Sequence, residues 1–205
     1  MGVGETTETT GAAGAAEAGI RDGRVRRGAR NREAIVRALF ELIGAGAIQP
    51  TAEQVAERAG VRVRTVFRHF ADMAGLNAEL VRLLRHEMRP LFEATPEGDV
   101  GARARALVAQ RADAFERIAP YKRAADAQRW RRDYLQTDHE ALVRELRRLN
   151  LRALPELRDA DDDVQAAFEL VVSFEAWQRL RVDQRLGFDR ARAAMERAAL
   201  AVLGG

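Results

Sequence analysis

Residues 51–70, Thr-Ala-Glu-Gln-Val-Ala-Glu-Arg-Ala-Gly-Val-Arg-Val-Arg-Thr-Val-Phe-Arg-His-Phe, constrain the fold more than any other stretch of this 205-residue chain. Their spacing predicts two short helices joined by a tight turn. Thr51 and Gln54 fit the S/T-x-x-E/Q capping box, so a helix begins just after Pro50. Val55, Ala56 and Ala59 give it a narrow apolar stripe, and Gly60 can take the positive φ that stops it. Val63, Val66, Phe67 and Phe70 then fall on one face of a second helix, with Phe67 expected as a core aromatic. Arg62, Arg64, Thr65 and Arg68 are left to point outward. The small Ala56 lets the two axes approach, as a helix-turn-helix needs. An apolar back and a cationic, hydrogen-bonding front are what a reader of the DNA major groove requires.

The charge distribution agrees with that reading. The net charge is only +3, but residues 1–20 hold three acids and no base, and residues 21–89 hold 14 arginines against 8 acids. Residues 90–205 balance 20 bases with 20 acids, so the positive excess sits with the helix-turn-helix, where phosphates would be bound. The absence of cysteine excludes a disulfide framework, a thiolate metal site and a cysteine nucleophile. No apolar run approaches the ~20 residues of a membrane span, and no signal-peptide h-region opens the chain. A cytoplasmic protein without a membrane partner is expected.

The rest of the chain predicts further helices and no strand. Residues 1–20, poor in apolar anchors, are expected to be disordered, and residues 21–30 form a basic arm. Ile35, Leu39, Leu42 and Ile43 mark a first helix from about Asn31 to Ile43. Asp72 caps a fourth, with Leu76, Leu80, Leu83 and Leu84, that stops before Pro90. Longer amphipathic helices follow at about 100–119, 121–134, 137–154, 162–185 and 189–203, the first broken by Pro120 and the third opened by a Thr137–Glu140 capping box. The expectation is an all-α fold of about nine helices. It divides into a tail with a basic arm (1–28), a helix-turn-helix domain (29–90) and a C-terminal helical domain (98–205).

On residues 52–61 and on Thr65-Val66-Phe67-Arg68-His69-Phe70, followed by Leu76, the chain resembles the TetR family of bacterial one-component transcriptional regulators. The close resemblance covers about residues 31–80; the remainder agrees in helix number, helix length and size. It implies a homodimer that binds a palindromic operator, usually as a repressor, and is released by a small-molecule effector bound in the C-terminal domain. Carried over by position, Thr51 and His69 would touch phosphates, while Arg62, Arg64 and Thr65 would sit toward base edges, with Arg68 beside them. Two positions depart from the family pattern. Phe67 stands where a tyrosine hydroxyl usually reaches the DNA backbone, and Met73 where a phosphate-contacting lysine is common.

For the C-terminal half, the resemblance places Phe115, Tyr121, Trp130, Tyr134, Phe168 and Trp177 on helices that surround the effector cavity, where aromatic rings with polar edges suit a planar or amphipathic molecule. The last two helices pair large apolar residues with an alanine-rich partner, and Phe174, Leu180, Met195, Ala198 and Val202 are expected at a two-fold dimer interface. Lys122, Arg123, Arg129, Arg131 and Arg132, with Asp126 and Asp133, read as a solvated, mutually paired face. No cofactor, metal site or enzyme activity is expected. His69, His86 and His139 are far apart, no glycine-rich phosphate loop occurs, and the lone Ser173 lies in a helical pattern with no nucleophile elbow. The competing reading is a helical ligand-binding protein or enzyme that retains a vestigial helix-turn-helix.

Overall fold

The computed structural model describes residues 9–93 and 95–204, with side chains from residue 25 onward apart from those of Phe92 and Glu93. Among the described residues there are nine α-helices and no strand: α1 (Thr9–Gly44), α2 (Ala52–Arg58), α3 (Val63–His69), α4 (Met73–Glu93), α5 (Val100–Asp126), α6 (Asp133–Ala153), α7 (Asp162–Val171), α8 (Phe174–Gln178) and α9 (Phe188–Gly204). The chain divides into two compact units, Met1–Leu80 and Val81–Gly205.

In the first unit, α1, α2 and α3 pack on one another around Ile35, Val36, Leu39, Ile43, Val55, Ala56, Val66 and Phe70, joined by Leu76 and Leu80 from α4. The capping box forms: the Gln54 N–H donates to Thr51 Oγ1 (3.3 Å), and the Thr51 N–H donates to Gln54 Oε1 (2.9 Å). The turn depends on Gly60, whose φ is +66°. A Cβ there would meet nothing within 4 Å, so the only cost of a side chain is the left-handed backbone. Gly60→Ala is therefore expected to lower stability by about 1–2 kcal/mol. Gly60→Asn should lose less, because asparagine tolerates that region. Equal losses in denaturant titrations would count against this account.

Several boundaries differ from those expected of the sequence. The helix predicted from Asn31 begins at Thr9, so the basic segment continues α1 instead of forming an irregular arm. Arginine and alanine propagate a helix well once its C-terminal half is packed. Residues 1–8 of the expected tail lie outside the described residues. Pro90 and Pro120 fall inside α4 and α5 instead of ending them. At Pro120 the burial of Ala119, Lys122 and Ala124 on either side outweighs the roughly 3 kcal/mol that an interior proline costs. The predicted capping box at Thr137 is not used: α6 begins at Asp133, and the Thr137 hydroxyl donates to Asp133 O one turn back (3.0 Å).

The second unit has a continuous core of Leu107, Val108, Phe115, Leu154, Leu157, Phe168, Val172, Phe174, Trp177, Ala191, Met195 and Ala199, in which α5 packs along α9. The single long helix expected over 162–185 is broken. α7 stops at Val171, and Ser173, in extended conformation, caps α8 by accepting from the Ala176 N–H (3.1 Å). The Ser173 hydroxyl donates to Leu170 O (2.7 Å). A π turn over Arg179–Asp183 follows.

Candidate DNA-binding face

The α2–α3 pair sorts its side chains as a groove reader must. On α3, Val66 is 1% exposed, and Phe70 just beyond it is 4% exposed. Arg62, Arg64 and Arg68 are exposed, and Thr65 is half-buried with its N–H donated to Arg62 O (2.7 Å). Arg62 is the N-cap residue of α3, yet its side chain makes no capping bond. Thr51 is exposed at the start of α2, where its hydroxyl already accepts from Gln54. The structure thus brings Arg64, Thr65 and Arg68 together along one seven-residue helix, with Arg62 at its N-cap.

Two neighbouring residues are placed differently from expectation. Phe67, expected in the core, is 48% exposed and lies among the arginines. A helix of seven residues has room to bury only one edge, and Val66 with Phe70 takes it. His69, expected on a phosphate, has its Nε2 enclosed without a hydrogen-bond partner. Burial first, then the nearby guanidinium groups of Arg68 and Arg32, hold its pKa below the ordinary histidine value, which favours the neutral ring. The C-terminal end of α3 is in turn held by Arg32: Nη1 donates to His69 O (3.2 Å), Nη2 pairs with Glu79 Oε1 (2.6 Å), and the guanidinium stands 4.6 Å from the centre of the Phe70 ring. Sequence spacing did not single out Arg32, which reads as the last arginine of the basic segment, three residues before the buried Ile35. Met73, at the start of α4, is half-buried.

In the second unit the six aromatic residues expected around an effector cavity differ in burial. Phe115, Phe168 and Trp177 are at most 1% exposed and belong to the close-packed core. Tyr121 and Tyr134 are half-buried, whereas Trp130 is 79% exposed on a 3-10 turn, stacked under the Arg129 guanidinium. A cleft of about 50 Å³ opens beside the α7–α8 break, lined by Leu146, Asn150, Val172, Ser173 and Glu175 among others. None of the six expected residues lines it, and it is far below the few hundred Å³ of an ordinary ligand pocket. Of the residues expected at a dimer interface, Phe174 and Met195 are spent on the chain's own core, while Leu180, Ala198 and Val202 are partly open.

Buried polar groups that sequence reading missed sit nearby. Arg111, fully buried on α5, donates through Nη2 to Leu146 O (2.8 Å) and Asn150 Oδ1 (2.9 Å), and burial pulls its pKa down to about 9, leaving it cationic at neutral pH. Lys122, expected on a solvated face, is 8% exposed, pairs with Asp126 (2.5 Å) and approaches Glu175 (3.6 Å). Each lies on a helix face that otherwise reads apolar, which was the available signal. Among the described residues no cluster of three or more histidines and carboxylates could hold a metal ion, and no helix is long and apolar enough to cross a membrane.

Residues 35–80, which span this face, match the family model described as "Bacterial regulatory proteins, tetR family". No curated protein matches the chain by sequence. Among solved structures, the fold is similar to that of a Rhodococcus sp. protein provisionally described as a TetR-family transcriptional regulator, with 16% identity, TM-score 0.65, and coverage of 84% of this chain and 98% of that one. It is similar also to a transcriptional regulator from Rhodococcus sp. Rha1 (21% identity, TM-score 0.63, 85% and 96% coverage). A third is the multidrug binding protein EbrR complexed with imidazole (19% identity, TM-score 0.59, 82% and 93% coverage). At these identities the three structures speak for the shared fold. The capped α2, the glycine turn and the arginine-fronted α3 all lie inside the matched segment, so residues 35–80 form a helix-turn-helix similar to that of the tetR family of bacterial regulatory proteins.

Proposed function

We propose that the protein acts as a homodimeric repressor that binds a palindromic operator in the cytoplasm and leaves it when a small molecule occupies the C-terminal unit. The observation that carries this reading is the set of exposed arginines, Arg62, Arg64 and Arg68, on a helix whose opposite edge is buried through Val66. Arg62 and Arg64, with Thr65, serve for base edges: arginine bonds guanine O6 and N7 together, and a threonine methyl packs on a thymine methyl. Thr51 and Arg68 serve for phosphates, which fix register without reading sequence. Phe67, exposed and without a hydroxyl, suits apolar contact with sugar or methyl groups where the family commonly uses tyrosine. His69 contributes through the ring nitrogen opposite its enclosed Nε2. Leu180, Ala198 and Val202 remain for the two-fold contact, with small α9 residues allowing close approach.

Release follows by population shift. An effector that prefers a conformation whose two recognition helices no longer match successive major grooves weakens operator binding by a coupling of about 1–3 kcal/mol. EbrR is a multidrug binding protein, which supports a small-molecule effector for this chain. Footprinting on the DNA upstream of the protein's own gene tests the reading. A protected inverted repeat is expected, together with a dimer in light scattering at micromolar concentration. A stable monomer, or equal affinity for random duplex at physiological salt, would overturn it.

A further inference from the structure

Helix α1 does not end where the helix-turn-helix needs it to. Its packed portion runs from Arg32 to Ile43, with Ile35, Val36, Leu39 and Ile43 buried. N-terminal to that, Val25, Arg26, Arg27, Ala29 and Arg30 are exposed, yet the helix continues without a break. This extension is not detached from the reading head. A Cβ placed on Gly28 would lie 3.9 Å from His69 Cε1, which is ordinary packing distance, and one turn on Arg32 bonds His69 O and Glu79. α1 is thus clamped to the C-terminal end of α3 over residues 28–32. The enclosed Nε2 of His69 fits the same picture, with the imidazole acting as a packing block under α1.

The charge on the extension is concentrated. Residues 21–30 hold five arginines (21, 24, 26, 27 and 30) and one acid, Asp22, for a net +4. At about 1.5 Å rise per residue, this charge extends roughly 10 Å beyond the clamp. Arg26 and Arg30 are four residues apart and therefore stack on one face. Each is two residues from Gly28, so that face is turned about 200° from the one packed on His69. Arginines needed only for solubility require no fixed register against α3. Here the register is set by the approach of Gly28 to His69 and by the bonds of Arg32, so the exposed cations are carried on a helix fixed to the end of α3.

We propose that Arg26, Arg27 and Arg30 form a second DNA contact, a helical extension of α1 that binds duplex phosphates flanking the major groove entered by α3. The proposal rests on the DNA-binding reading above. Phosphate contacts carry no sequence information, so the extension adds affinity and salt dependence equally on all duplexes.

The test measures full-chain binding by fluorescence anisotropy at several salt concentrations, on the footprinted operator and on a random duplex. The variants are Arg26→Ala/Arg27→Ala/Arg30→Ala and the corresponding triple lysine replacement. Alanine keeps helix propensity, and far-UV circular dichroism checks that the helix persists. Each lost contact should reduce the slope of log K against log[salt] by about 0.9, giving a drop of roughly 2–3 per protomer on both duplexes, while the lysine variant keeps the wild-type slope. An unchanged slope in the alanine variant overturns the extension's role. So does a loss confined to the operator, which would mean base reading. A wild-type protein without operator preference instead defeats the DNA-binding reading itself, an outcome that the salt slopes of the variants do not affect.

Discussion

Trp177→Ala lowers the stability of the folded chain by about 3–5 kcal/mol, the range for truncating a large buried aromatic. Trp177 has no exposed surface. Its ring meets Phe188 edge-on, with centroids 5.6 Å apart, and its Nε1 donates to Glu116 Oε1 (3.0 Å). The same carboxylate accepts from Arg181 Nε (2.7 Å), while Arg181 Nη1 donates to Leu186 O (2.5 Å). One tryptophan thereby ties α5, α8, the π turn and the start of α9 together. Hydrogen bonding from Arg181 is the main cause that holds the Glu116 carboxyl below its ordinary pKa, so it is charged and available to the indole at neutral pH. A loss of this size is a large part of the 5–15 kcal/mol that usually stabilises a domain. Trp177→Phe keeps most of the ring and should cost about 1–2 kcal/mol, chiefly the indole hydrogen bond. The chain has only one other tryptophan, the exposed Trp130, so fluorescence separates the two. In Trp130→Phe the emission should be blue-shifted and move red on unfolding; in Trp177→Phe it should already be solvent-like. A Trp177→Ala variant within 1 kcal/mol of wild type would remove Trp177 from the centre of this core.

How much of this was legible in the sequence depends on the range of the forces involved. The capping box at Thr51 and the stop at Gly60 are local, decided within four residues, and both form as read. Pro90 and Pro120 were read as helix ends because local propensity says so, but helix ends also answer to packing, and burial around Pro120 carries α5 onward. Ser173 is the opposite case. Its capping role is local and could have been found from Glu175 in the first turn of α8, but the apolar run from Phe168 to Trp177 hid it. Phe67 was misplaced because helical spacing names a face without saying whether a neighbour covers it, and the helix expected to carry Trp130 is a 3-10 turn there. The polar bonds of Arg111 to Leu146 and Asn150 join residues 35 and 39 positions apart, which no spacing rule reaches. The helices that carry the candidate DNA face and the exposure of their arginines were therefore readable from local spacing, whereas Phe67, His69 and Arg32 beside them were not, and the interior of the second unit was readable only in outline.

Arg64→Ala should cost about 1–3 kcal/mol in operator affinity and relax preference at a single base position in each half-site. Arg64 is the exposed arginine inside the first turn of α3, where side chains of a recognition helix reach base edges. Arg68 sits one turn further on, near the end where α1 is clamped, so Arg68→Ala should weaken operator and random duplex alike. The two arginines share a helix, and their side chains are chemically identical, so only their position relative to the groove separates the outcomes. Arg64→Lys sharpens the distinction. Lysine keeps the charge but loses the planar fork that bonds guanine O6 and N7 together, so it should restore the salt slope without restoring base preference. Competition binding against operators substituted one position at a time gives the readout. If Arg64→Ala lowers affinity equally for every substituted operator, Arg64 holds a phosphate. The reading of bases would then fall to Arg62 and Thr65 at the N-terminal edge of α3.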